Sequence, residues 1–124
     1  MSVFGTAAGI IALVSLLALL VKYPLRRLGL HKLNAFFMRL HEAASGLFFV
    51  SAIAHMFAER RSFKRAPFSA LLGLASFVIS VVLIADCHMA KDAAKMRRHR
   101  IYSLLLTLTA ACHAASGCIR MKKI

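Results

Sequence analysis

Apolar residues run in four blocks, residues 3–21, 34–57, 67–86 and 101–119, and the segments between them are short and basic. Each block is close to the roughly 20 residues that an α-helix needs to cross the hydrocarbon of a bilayer. The pattern predicts an all-α integral membrane protein, a four-helix bundle forming a single domain over residues 1–124. The connectors are residues 22–32, with Pro24 and Gly29 as breakers, 59–65 and 91–100. Connectors this short force neighbouring helices to run antiparallel, which makes the second and fourth spans parallel. No Lys or Arg precedes Lys22, so the first block lacks the basic flank of a secretory signal and is read as a retained span.

Composition narrows the class. Of 124 residues, 60% are hydrophobic, and 17 Lys and Arg stand against 4 Asp and Glu, a formal charge of +13. Those cations punctuate the apolar blocks instead of spreading over one surface, so a soluble nucleic-acid binder is excluded and membrane lipid is the expected partner. The first and third connectors with Arg39 carry 10 Lys and Arg, against 7 in the second connector and the C-terminal tail. By the positive-inside rule, both termini are expected outside a membrane crossed several times, a prokaryotic cytoplasmic membrane. Cys87, Cys112 and Cys118 form no CxxC and are read as buried thiols.

Four of the six histidines form two pairs of equal spacing, His41 with His55 in the second span and His99 with His113 in the fourth. Fourteen residues advance an α-helix to within about 40° of whole turns and roughly 21 Å along its axis. Each helix therefore offers two imidazoles on one face, one toward each membrane surface. Parallel helices bring the levels into register, so His41 is expected opposite His99 and His55 opposite His113. A shift of 58 residues also lays Met38 on Met96, Arg39 on Arg97, Ser45 on Ser103 and Ala52 on Ala110. Both helices carry M-R-x-H-x3-S-x6-A-x2-H.

Two facing imidazoles with no thiolate or carboxylate beside them suit haem iron, whose porphyrin supplies the other four nitrogens, better than zinc. The bland alternative is a set of histidines tucked into the bundle, each hydrogen-bonded to a Ser, Thr or backbone carbonyl. The arrangement resembles the di-haem cores of respiratory cytochrome b and of the ferric-reductase type, in which two helices separated by one other each contribute H-x13-H or nearly so. The resemblance covers the second to fourth spans. It implies two b haems stacked between helices 2 and 4, with His41 and His99 ligating one and His55 and His113 the other. These residues lack the quinone-site loop motifs of respiratory cytochrome b and the flavin and nicotinamide domains of complete ferric reductases.

Haem propionates need cations, which assigns Arg39, Arg98 and Arg100 to the inner pair and Arg60, Arg61 and Arg120 to the outer pair, with anionic lipid as the competing use. Glu42, Asp86 and His88 are candidates for a quinone or proton site. The competing readings are an ion pair of Glu42 with Arg39 and a simple helix exit at Asp86 and His88. His31, in the first connector, is read as solvated. With no nucleotide-binding or catalytic motif, the expected role is an electron-transfer subunit and not a complete enzyme. Its expected partners are the quinone pool and a peripheral flavin or iron–sulfur subunit. A homodimer through Gly5 and Gly9 is a further expectation. Two other functions remain open: a stand-alone reductase of ferric chelates or oxygen species, and a haem-free transporter or anchor.

Overall fold

The structure, a computed structural model, describes residues 2–27 and 33–123. It is helical throughout, with α1 (Val3–Arg27), α2 (Asn34–Ala58), the single turn α3 (Ser62–Arg65), α4 (Pro67–Met89) and α5 (Lys95–Lys122), and no strand among the described residues. Four of these helices are long and apolar enough to cross a membrane. His31 lies outside the described residues.

The helices outrun the apolar blocks because hydropathy marks only the part of a helix that suits lipid. α5 starts six residues before residue 101, on Lys95, Met96, Arg97 and Arg98, all good helix formers. α1 continues through Pro24, which sits within its last turn and whose missing N–H removes one i→i−4 bond there. Pro67 opens α4 at a position where the N–H has no helical partner anyway.

The chain divides into two compact units, Met1–Arg60 and Arg61–Ile124. Unit 1 is an antiparallel hairpin of α1 and α2. In unit 2 the hairpin is α4 and α5, with α3 packed on the start of α4. Both hairpins place small and polar residues inside and large apolar ones outside. Ser15, Ser51, Ser69, Ser76 and Ser80 are buried, whereas Val3 is 89% exposed and Phe68 72%. In water that distribution would be unstable; in hydrocarbon it is how helices approach closely, because small side chains and interhelical hydrogen bonds supply the association. Ser76 Oγ–H donates to Thr109 Oγ1 across unit 2 at 3.0 Å.

The duplication of the second helices extends to local bonding. Ser51 Oγ–H donates to the Leu47 and Phe48 carbonyls, and Thr109 Oγ1–H to those of Leu105 and Leu106, all displaced by 58 residues. Phe48 and Leu106, equivalent under the same shift, are both buried.

Candidate functional site

In unit 1, His55 reaches from the last turns of α2 to the start of α1, its Nδ1 lying 2.7 Å from the Gly5 carbonyl. A carbonyl only accepts, so Nδ1 carries the hydrogen and a neutral ring keeps its lone pair on Nε2. The ring fits because residue 9 is glycine: a Cβ there would stand 3.0 Å from Nδ1 and 3.1 Å from Cε1 of His55. One turn further on, Glu59 closes this end of the hairpin. Its Oε1 accepts from the Ser2 N–H at 2.9 Å and the Ser2 hydroxyl at 3.1 Å. Ser2 Oγ in turn caps α1 by accepting the Gly5 N–H.

Unit 2 repeats the device. His113 Nδ1 lies 2.8 Å from the Ser69 carbonyl, and a Cβ on Gly73 would stand 2.9 Å from its Cε1 and 3.1 Å from its Nδ1. Ser69 Oγ, 3.5 Å from Nδ1, is held by the Ser116 hydroxyl at 2.7 Å. Gly5 and Gly9 map onto Ser69 and Gly73 by a shift of 64 residues, while His55 maps onto His113 by 58. Each hairpin thus has a glycine notch and a carbonyl that seat one imidazole and fix its tautomer.

At the other end of unit 2, His99 Nδ1 lies 3.2 Å from Cys87 Sγ, so both histidines of α5 face α4. The 14-residue spacing keeps them on one face, as the helical repeat requires. Lys95 Nζ donates to the Cys87 carbonyl. Arg98 donates from Nε to Asp86 Oδ1 at 3.0 Å, and its Nη1 and Nη2 form a fork on Asp92, each at 2.8 Å. These are the ion pairs among the described residues. The second oxygen of Asp86 is buried without a hydrogen-bond partner there. Asp92, in the turn between α4 and α5, has its carboxyl held below the ordinary carboxylate range, first by the Arg98 hydrogen bonds.

The four sequence-predicted ligands divide between the units, His41 and His55 in unit 1, His99 and His113 in unit 2, and all four are partly buried. Arg39, Arg60, Arg61 and Arg100 are exposed and Arg120 is half-buried, whereas Arg98 is engaged by two carboxylates. Glu42 and His88 are exposed. Among the described residues no group of three or more His, Cys, Asp or Glu is gathered to hold a bare metal ion.

Two expectations need correction. Cys112 and Cys118 are exposed and Cys87 half-buried, because residues 112 and 118 fall off the stripe of α5 that carries His99, Leu106 and His113 against α4. Gly5 and Gly9 do not offer an open face to a second copy, since α2 covers them with Glu59 and His55. Sequence reasoning missed Gly73, Ser69 and Glu59; the Gly9/Gly73 match at 64 residues was the signal that could have found the first two. Comparison of the chain with protein-family models, with curated proteins and with solved structures found no match.

Proposed function

We propose that this chain is a small bis-histidine di-haem cytochrome b that moves electrons across a membrane, as the membrane subunit of an oxidoreductase exchanging electrons with quinone or quinol. The observation that carries the reading is the paired seating of His55 and His113. Each is fixed by Nδ1–H to a backbone carbonyl, and each keeps the Nε2 lone pair that an iron ligand needs. A ligating histidine characteristically donates its other ring N–H to a carbonyl or carboxylate, which fixes the ring and raises its basicity. Neutral imidazole held by a carbonyl is a donor type that haem iron takes, and this supports the reading. In that reading His41, His55, His99 and His113 would be the haem ligands.

When bound, the two haems supply reversible one-electron carriers. The chain's own residues do the rest. Gly9 and Gly73 admit the imidazoles, and the Gly5 and Ser69 carbonyls orient them. The outward apolar residues of α1, α2, α4 and α5 suit the helices to a lipid surround. Asp86, with one oxygen on Arg98 and the other buried, would line a quinone site at the His99 end, with peripheral flavin or iron–sulfur protein as electron partner. Arg39, Arg60 and Arg100 are exposed and remain for propionates.

The test is a redox-titrated visible spectrum of the purified chain with pyridine haemochrome quantitation. Two b haems per chain are expected, His55→Ala and His113→Ala each removing the same one, and His41→Ala and His99→Ala the other. A chain from haem-replete cells with no reduced α-band refutes the proposal and favours a haem-free hairpin pair clamped by its histidines.

A further inference from the structure

Unit 2 distributes its charge unevenly between its two ends. Its acids, Asp86 and Asp92, lie at the turn between α4 and α5, both paired with Arg98, among the cations Lys91, Lys95, Arg97, Arg98 and Arg100. The opposite end, where α3 leads into α4 and α5 finishes, carries Arg61, Lys64, Arg65, Arg120, Lys122 and Lys123 and no Asp or Glu. That α4 and α5 bring these residues to one end follows from the Ser69–Ser116 and Ser69–His113 bonds just inside it. All but Arg120 are exposed. Glu59, the nearest acid in sequence, belongs to unit 1, where it is bound to Ser2.

Large apolar side chains are interleaved with these cations. Phe63, within α3, is 42% exposed, Phe68 is 72%, and Ile119 and Met121 are 58% and 46%. A soluble phosphate would satisfy the guanidinium and ammonium groups and leave those side chains in water. A phospholipid satisfies both, with phosphate at the cations and acyl chains against the apolar residues, and the edge of the α4 span is where its headgroup lies. We infer that the α3 end of unit 2 is a binding site for anionic phospholipid headgroups. Lys64, Arg65, Lys122 and Lys123, which carry the test, have no part in the haem reading.

Protein in nanodiscs of phosphatidylcholine with a minor fraction of phosphatidylglycerol is released into native mass spectrometry, and the bound phosphatidylglycerol is compared with its share of the bilayer. Each juxtamembrane cation contributes about fivefold to anionic-lipid binding. K64Q/R65Q should therefore lower the enrichment on the order of 20-fold, while K91Q/R97Q, the same charge change at the end that holds both acids, leaves most of it. K122Q/K123Q reports on the same site from α5 should the α3 variant fail to fold, which circular dichroism shows. Unchanged enrichment in both α3-end variants, an equal fall in K91Q/R97Q, or displacement by excess inorganic phosphate overturns the inference.

Discussion

Alanine at Gly73 puts a number on the seating of His113. The added Cβ would stand 2.9 Å from Cε1, where ordinary contact begins at 3.4 Å, so the ring must retreat by about half an ångström or α4 must move from α5. Retreat stretches the Nδ1–H bond to Ser69 from 2.8 Å past the usual hydrogen-bond limit. Overpacking of this kind costs about 1–3 kcal/mol and the interhelical hydrogen bond about 0.6, against roughly 1 kcal/mol returned by replacing glycine in a helix. A net loss of about 1–2 kcal/mol follows. Gly9→Ala should cost less, its Cβ being 3.0 Å from His55 Nδ1, and Gly46→Ala and Gly117→Ala should stabilise, since a Cβ at either meets open space. Equilibrium unfolding in mixed micelles measures all four. The unfolding constants of Gly73→Ala and Gly117→Ala should differ by about 30-fold or more, which is 2 kcal/mol. Equal stability of those two variants refutes the notch, because helix propensity alone treats them alike.

Asp92 has its carboxyl held low by Arg98, so its pairing stabilises the fold above the ordinary carboxylate pKa of about 3.9 and is lost as pH falls through the lowered native value. Asp92→Asn should thus differ from the parent chain at neutral pH and converge with it in acid; a difference that grew on acidification would contradict the assigned sign. Ser76→Ala removes the hydroxyl that crosses to Thr109 and should cost about 0.6 kcal/mol by the same micelle assay. Ser80→Ala, whose hydroxyl bonds only the Phe77 carbonyl of its own helix, serves as the comparison and should cost less.

Much of the fold could be read from the sequence because lipid imposes one dominant signal. Four apolar blocks gave four helices, and the His41/His55 and His99/His113 spacing marked α2 and α5 as copies before any coordinates. The helix ends were hidden because hydropathy stops where Lys95–Arg98 begin while helix propensity does not. α3, at four residues, is too short to show a period. The copy relation of α1 and α4 escaped a comparison at 58 residues because it holds at 64, where Phe4, Gly9, Val14 and Leu19 meet Phe68, Gly73, Val78 and Leu83. The second hairpin is six residues shorter between notch and histidine, 40 against 46, so no single shift aligns both helices. The partners of His55 and His113 are backbone carbonyls, which no side chain announces; only the glycine beside each was there to be seen.

That the knob in each notch is histidine bears on what the hairpins are for. Holding two helices together in lipid needs only shape: a leucine or phenylalanine over Gly9 or Gly73 would fill the space without a polar ring to satisfy. A serine or threonine would return its hydroxyl to its own helix, as Ser51 and Thr109 do one turn away. Imidazole is the costlier choice, and in each hairpin one of its two nitrogens is already committed to a carbonyl of the facing helix. That bond offsets the burial of Nδ1 and stops the ring from turning. The same bond to a carbonyl of the facing helix recurs in two hairpins whose separation of notch and histidine differs by six residues, so the seating depends on the notch and the carbonyl and not on the length of the hairpin.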